Sequence, residues 1–289
     1  MDKSLTLDEQ LRAALSGLTP AERQLATHIL AHYPVAALGS ITQLAKAALV
    51  STPTVVRLAQ KLGYKGYPDV QLSLRGEVEA MLATLLTKHD RWAAGVPDGH
   101  ILNRFAEAVV ANLQATLNQI DPAEFDAVAT LLADPSRQVF ALGGRITQSI
   151  AEYFTSLMHV VRPGVTLLSD NPASWPPVLL DLKLGDVLLV FDIRRYENAV
   201  LQVTEMAEEM GAEIVLVTDR WVSPAAAHAR HTLCCHIEAP SAWDSNAVLM
   251  VLVETLLGAV QTASWAVTEQ RMKRLEALYA RTRFFRRHR

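Results

Sequence analysis

The stretch that decides the fold is "GDVLLVFDIRRYENAV", residues 185–200. Val187–Phe191 form an unbroken apolar run, which is typical of a strand covered on both faces. A charged segment, "DIRRYE" (192–197), follows where the chain must leave the sheet. Because open α/β sheets bind ligands at the carboxyl ends of their strands, this segment is a candidate binding site.

The same rhythm extends along the rest of the C-terminal part. A helix over Leu102–Ile120 and a second one opened by Asp121 lead into it, and a helix over Ser241–Val267 closes it. Between them, the predicted strands are Gln138–Leu142, Val165–Leu168, Val187–Phe191, Ile214–Val217 and Thr232–Ile237. Strands that alternate with helices predict a doubly wound parallel α/β sheet.

Residues 1–90 lack any strand period and predict an all-α domain. Thr19 with Glu22 forms a capping box, and Ser51 can cap a later helix. A further helix is predicted over Pro68–Lys88. The fold class is therefore a two-domain α plus α/β chain, with "WAAGVPDGH" (92–100) as the linker candidate. The predicted division is 1–90 for the helical domain, 91–122 for the linker and leading helix, 123–267 for the sheet domain and 268–289 for a basic tail.

The composition is that of a globular protein, since 50% of the 289 residues are hydrophobic and 20% are charged. Aromatic residues are few, which disfavours a stacking surface for single-stranded nucleic acid. Residues 91–265 are acidic, whereas 266–289 are strongly basic. We expect the tail to continue a helix, with residues 284–289 loose. It would either attract DNA or pack on a partner subunit.

Cys234 and Cys235 are neighbours and point to opposite faces of an extended segment, so we expect neither a disulfide nor a shared metal. The histidines have no regular ligand spacing. No signal peptide or membrane span is evident. We therefore expect a cytoplasmic protein without metal, cofactor or membrane partner.

The segment around residues 40–62 is consistent with a helix-turn-helix. Thr54, Arg57 and Lys61 fall at i, i+3 and i+7, so we expect them to share the outer side of the second helix. Thr52 lies at its N-terminal tip, the end that approaches base edges in this motif. From the pattern alone, the alternative is an ordinary helical bundle with a solvated polar face.

The stretch "SITQLAKAALVSTPTVVRLAQKLGYKGYPDVQLSL" (40–74) resembles the N-terminal domain of RpiR-type bacterial transcription regulators. The matching elements are the serine at 51, Thr-Val at 54–55, the arginine at 57, "KLGY" at 61–64 and "GY" at 66–67. The resemblance implies binding to a double-stranded operator. The expected DNA-binding residues are Ser51, Thr52, Thr54, Arg57, Lys61 and Lys65.

RpiR-type regulators carry a C-terminal SIS (sugar isomerase) domain that usually binds phosphosugars, and residues 123–265 resemble it. The family holds phosphate in a Ser-x-Ser-Gly-x-Thr loop, which "DIRRYE" replaces here. Arg145 stands where a second glycine is expected, Thr147 occupies a serine position, and Ser223 matches a downstream serine. The expected ligand-binding residues are Arg145, Thr147, Asp192, Arg194, Arg195, Glu197 and Ser223.

Three interpretations of this replacement remain open. In the first, the three arginines bind a carboxylate or another planar anion, while Asp192 and Glu197 accept from an amine or hydroxyl of the same molecule. In the second, the arginines pair internally with Asp192 and Glu197, and the pocket is closed. In the third, the ligand is still a phosphosugar.

We expect a sensor rather than an enzyme. Glu152, His159 and Glu238 could act as a base for sugar isomerisation, but none lies in a motif that matches a catalytic one, so no catalytic residue is predicted. The resemblance implies a homodimer or higher homo-oligomer, and a symmetric dimer suits a palindromic operator. A dimeric DNA-binding protein that responds to no ligand is the remaining alternative.

Overall fold

Capping boxes begin three helices of the N-terminal unit. In the computed structural model, which describes residues 5–81, 88 and 100–282, the hydroxyls of Thr6, Thr19 and Ser40 each accept a backbone N–H three residues on. The helices of this unit are α1 (Leu7–Ala14), α2 (Pro20–Ala31), α3 (Ile41–Ala47), α4 (Thr52–Lys61) and α5 (Tyr67–Met81). Apart from His100, the predicted linker at 92–100 lies outside the described residues. The segment 82–87 and the predicted loose end at 284–289 also lie outside them.

One apolar core joins these helices. Leu11, Leu25, Leu44, Leu58 and Leu74 are almost fully buried in it, one from each helix. The chain divides into two compact units, residues 1–90 and 91–289. Each helix of the first unit therefore contributes an inner stripe, as expected of an all-α domain.

The second unit is built around a five-stranded parallel sheet in the order β2-β1-β3-β4-β5. Its strands are β1 (Val139–Gly143), β2 (Val165–Leu167), β3 (Val187–Asp192), β4 (Glu213–Asp219) and β5 (His231–Cys235). Its helices are α6 (Ile101–Gln119), α7 (Pro122–Ala133), α8 (Gln148–Val161), α9 (Trp175–Leu179), α10 (Asn198–Glu209), α11 (Ala247–Ala263) and α12 (Trp265–Thr282). The predicted parallel sheet is confirmed.

Helices cover both faces of this sheet. Leu188 and Val190 pack with Val200 and Val203 of α10 on one face. Phe191 points to the other face, where its ring centroid lies 6.3 Å from that of Phe154 on α8. Neighbouring residues of a strand alternate between faces, so β3 is buried on both and reads as an unbroken apolar run.

The long closing helix predicted over Ser241–Val267 was wrong at both ends. Residues 238–246 form a loop, in which the Ser245 N–H donates to the Ile237 carbonyl over 2.8 Å. The helix α11 then ends at Ala263 and is capped by Ser264, whose hydroxyl donates to the Val260 carbonyl over 2.7 Å. Beyond this cap the chain turns by 102° into α12.

The leading helix α6 packs on β5. Thr116 accepts the backbone N–H of His236 over 2.9 Å, and the Asn112 amide donates to the Glu238 carbonyl over 2.6 Å. Among the described residues no single helix is long and apolar enough to cross a membrane, although α11 and α12 together pass by length and composition.

Candidate functional site

The helices α3 and α4 form a helix-turn-helix joined by a tight turn. Leu49 has a φ of 54°, in the left-handed region, and the Val50 N–H donates to the Ala45 carbonyl over 2.9 Å. Val55, Leu58 and Ala59 turn the inner side of α4 into the core. The outer side stays open, with Ser51, Arg57 and Lys65 exposed and Thr52 half-buried.

Thr54 departs from the expected placement on the outer side. Only 3% of it is exposed, because it precedes the buried Leu58 by one helical turn and shares its stripe. Its Oγ1 lies 2.9 Å from Ser51 Oγ and accepts from Arg57 Nη2 over 3.1 Å. Direct contact between Thr54 and a base edge is therefore excluded in this conformation.

Lys61 is engaged within the N-terminal unit. Its Nζ lies 3.0 Å from Glu22 Oε2 and donates to the Gly17 carbonyl over 2.7 Å. The backbone N–H of Thr19, and then Lys61, lower the pKa of Glu22. Lys61 therefore holds α4 against α2. Its side chain is still 41% exposed, so it also remains accessible to a phosphate.

The candidate ligand site lies where β1 and β3 run side by side. The chain leaves β1 towards the edge strand β2, whereas it leaves β3 through α10 towards β4 on the other side. The two loops that diverge here are 144–147 and 193–197. Such a switch point is the usual ligand crevice of an open α/β sheet.

The first loop is held tightly against β3. A Cβ at Gly143 would collide with the backbone of Thr147, so the turn requires glycine. Thr147 is buried, and its hydroxyl donates to the Phe191 carbonyl over 2.6 Å. Thr147, expected to bind ligand, therefore joins the two loops in this structure.

Two carboxylates converge on Gly144. A Cβ added there would lie 3.3 Å from Glu197 Oε1 and 3.7 Å from Asp192 Oδ1. Glu197 also accepts the backbone N–H of Arg145 over 2.7 Å. The mouth of the first loop is therefore lined by two acidic side chains.

Asp192 is 2% exposed, and its Oδ2 accepts from the hydroxyl of Ser223. Burial raises the pKa of Asp192 to about 7; the Ser223 hydrogen bond opposes this rise, whereas the charges of Asp219 and Glu197 add to it. A proton on Asp192 is therefore in balance near neutral pH. Ser223, which matches the family's downstream serine, serves this carboxyl group.

Asp219 ties the loop after β3 to the loop after β4. It is fully buried and accepts from the Arg194 N–H (2.6 Å), the Tyr196 hydroxyl (2.7 Å) and the Trp221 N–H (2.9 Å). Burial raises the pKa of Asp219, and burial together with the Asp219 charge raises that of Tyr196. Both side chains act as part of the framework.

Arg194 turns inward. Its side chain is only 2% exposed, and its guanidinium lies 3.7 Å from the ring centroid of Trp221. Its Nη2 lies 2.8 Å from Asp244 Oδ1 and 3.6 Å from Glu238 Oε1. The arginine is internally paired, as one interpretation of the sequence held, but with these acids from the segment before α11.

Arg145, on the first loop, and Arg195, on the second, are both exposed. Of the three arginines expected at the site, these two present their side chains to solvent. Among the described residues, no group of three or more His, Cys, Asp or Glu is arranged to hold a metal ion. The candidate site thus combines the acidic side chains of Asp192 and Glu197 with two exposed arginines on the loops that frame it.

Of the three side chains considered as bases, only Glu238 contacts a residue of the two loops. Glu152 is exposed on α8, His159 shares a hydrogen bond of 2.9 Å with the Val165 carbonyl, and Glu238 contacts Arg194.

Comparison with known proteins agrees with both halves of the molecule. Residues 5–81 match the rpiR-family helix-turn-helix domain, and residues 131–259 match the SIS domain. The HTH-type transcriptional regulator HexR of Pseudomonas aeruginosa is 26% identical over 287 residues, which cover 96% of each chain. The regulator YfhH of Escherichia coli, itself uncharacterised, is 25% identical and covers 93% of this chain and 96% of its own.

Two solved structures share the fold. The sugar isomerase domain of an RpiR transcription factor from Sphaerobacter thermophilus superposes with a TM-score of 0.57 at 20% identity, covering 61% of this chain and 97% of that one. The Vibrio vulnificus NanR protein complexed with ManNAc-6P gives a TM-score of 0.55 at 18% identity, covering 95% and 98%. The chain therefore belongs to the rpiR family of helix-turn-helix transcriptional regulators that carry a SIS domain.

Proposed function

We propose that this regulator binds a small zwitterionic metabolite at the carboxyl ends of β1 and β3, and that the ligand controls its binding to a specific operator. The observation that carries the proposal is the convergence of Asp192 and Glu197 on Gly144. A cationic amine placed there relieves the repulsion between the two carboxylates. The exposed guanidiniums of Arg145 and Arg195 then bind the anionic end of the same molecule.

A phosphosugar is the second candidate, because the related NanR structure holds ManNAc-6P. Two features of this chain oppose it. The Glu197 carboxylate already accepts the Arg145 N–H, which a phosphate would need, and a phosphate would face the negative charge of Glu197. The hydroxyls of the family's phosphate loop are also absent from residues 192–197.

The DNA partner of the proposed regulator is a palindromic double-stranded operator read by a homodimer. The proposed contacts are Thr52 and Arg57 on α4, Ser51 at its N-cap and Lys65 just after it, with Lys61 near the phosphates. Exposed apolar side chains on the second unit support self-association: Leu157, Val251, Trp265 and Val267. Two copies related by a two-fold axis present one α4 to each half-site.

The proposed role is sensing in the cytoplasm, without catalysis. Named relatives are transcriptional regulators, and Thr147 at the switch point is engaged in joining the first loop to β3. A ligand changes operator affinity only if it prefers one arrangement of the dimer over another.

Calorimetry of the full chain tests the ligand class. The ligand panel contains amino acids, their amides and phosphosugars that include ManNAc-6P. The variants are Glu197→Gln and, as a matched control, Glu205→Gln, since Glu205 is an exposed glutamate on α10. We expect a zwitterion to bind the wild type and to lose at least ten-fold in affinity with Glu197→Gln alone. A phosphosugar that binds the wild type more tightly than every zwitterion would refute the proposal.

A further inference from the structure

Thr54 contacts Arg57, the arginine proposed to face the DNA. We infer that the buried hydroxyl of Thr54 positions the Arg57 guanidinium for base recognition, so that Thr54 sets sequence preference without contacting DNA. The inference rests on the proposed role of Arg57 as a base contact. It replaces the sequence-based expectation that Thr54 meets the DNA directly.

The geometry is a short relay along the first turn of α4. Arg57 Nη2 donates to Thr54 Oγ1 over 3.1 Å, and Thr54 Oγ1 lies 2.9 Å from Ser51 Oγ. A hydroxyl offers one donor and two acceptor positions, so Thr54 can satisfy both neighbours at once. The relay thus joins three residues spaced at i, i+3 and i+6 on one side of the helix.

The relay leaves Arg57 able to recognise a base. A guanidinium has five N–H donors, and the hydrogen bond to Thr54 uses one of them. The remaining donors suffice for a bidentate contact with guanine. An exposed arginine otherwise samples many rotamers, and part of this freedom is lost when DNA binds. Tethering the side chain beforehand removes some of that loss, and it favours one direction of the guanidinium over others.

Packing alone does not require a hydroxyl at position 54. The residue is 3% exposed on the edge of the stripe that contains Val55 and Leu58. A valine has the same branched shape and can fill the same space. Since Ser51 is exposed, water can replace the hydrogen bond that it would lose. Thr54→Val therefore removes the relay and keeps the apolar contacts of the side chain.

The test measures base preference and affinity together. An operator is first selected by the full-length wild type from random duplexes, and each of its base pairs is then varied in turn. The variants are Thr54→Val, Thr54→Ser, Arg57→Ala and the double variant Thr54→Val with Arg57→Ala. Thr204→Val is the matched control, because Thr204 is buried on α10 and its hydroxyl donates to the Val200 carbonyl over 2.7 Å.

We expect Thr54→Val to reduce discrimination three- to ten-fold at the base pair where Arg57→Ala abolishes it, and nowhere else. Thr54→Ser keeps a hydroxyl and therefore retains the discrimination of the wild type. Thr204→Val leaves discrimination unchanged, and the double variant behaves as Arg57→Ala does. If Thr54→Val does not fold, Thr54→Ala removes the same hydroxyl and serves in its place.

Three results overturn the inference, and they are distinguishable. If Arg57→Ala leaves base preference intact, the proposed DNA contact fails and Thr54 has nothing to position. If Arg57→Ala flattens one position but Thr54→Val does not, only the role of Thr54 fails. If Thr54→Val weakens binding equally for all sequences, its role is structural.

Discussion

Asp192 gives the second unit a pH-dependent stability that one substitution removes. The buried carboxyl group holds its proton in the folded state up to a pKa of about 7, against an ordinary value of 3.8. Below the ordinary value both states are protonated, and the full stability is present. Stability is then lost as the pH rises towards 7, because the unfolded chain releases this proton and the folded chain does not.

The magnitude follows from the two pKa values. One unit of pKa difference corresponds to about 1.4 kcal/mol, so the stability lost through Asp192 is about 2 kcal/mol at pH 5.5 and about 4 kcal/mol at pH 8.5. Asn has no proton to exchange over this range. The free energy of unfolding of Asp192→Asn, relative to the wild type, therefore rises by about 2 kcal/mol between pH 5.5 and pH 8.5.

Urea unfolding followed by tryptophan fluorescence measures this difference. All five tryptophans lie beyond residue 90, so the signal reports on the second unit alone. The matched control is Asp170→Asn, since Asp170 is exposed, and its profile is expected to run parallel to that of the wild type. Profiles of the wild type and Asp192→Asn that stay parallel from pH 5.5 to pH 8.5 would refute the reasoning.

Three further outcomes are expected. Arg162→Met lowers the free energy of unfolding of the second unit by about 3 kcal/mol, because it leaves one buried and several partly buried carbonyls without their hydrogen bonds. The same fluorescence assay measures the loss, and the exposed Arg230→Met is the control. The carbonyls that accept from Arg162 belong to Leu132, Asp134, Arg137 and Pro163. Arg57→Ala costs about 1–3 kcal/mol of discrimination at one base pair, whereas Lys65→Ala weakens binding to all sequences. Lys65→Ala also lowers by about 1 the slope of the logarithm of affinity against the logarithm of salt concentration. Titrations of labelled duplexes at several salt concentrations measure both effects. Lys61→Met lowers the free energy of unfolding of the first unit by less than about 1 kcal/mol, as measured by far-ultraviolet circular dichroism. The difference between the variant and the wild type vanishes as the pH falls through the lowered pKa of Glu22.

The strands and helices were predictable because their signals are local. Val187–Phe191 are apolar without interruption, and this alone indicates a strand covered on both faces, as β3 proved to be. The capping box at Thr19 and Glu22 likewise marked the start of α2. Each signal involves neighbours in the sequence, so no knowledge of the tertiary structure was needed.

The partners of Arg194 could not be predicted in this way. Asp192 and Glu197 are its nearest acids in the sequence, but Asp244 and Glu238 pair with it from the loop after β5. Parallel strands bring loops together that are some fifty residues apart, and nothing in the local pattern records this. Thr54 failed for a different reason, because it lies at the boundary between the buried and outer sides of α4, where helical spacing does not discriminate.

The buried anchoring of the loops around the proposed site has an evolutionary consequence. Asp219 accepts from the backbone of both Arg194 and Trp221, and the buried Thr147 joins the loop 144–147 to β3. This framework does not depend on the exposed side chains of Arg145 and Arg195. At the proposed ligand site, substitutions at Arg145 and Arg195 would then change the chemistry of the ligand without rebuilding the loops. Under the proposed function, a lineage with this framework would change its ligand through substitutions at the surface of the site alone.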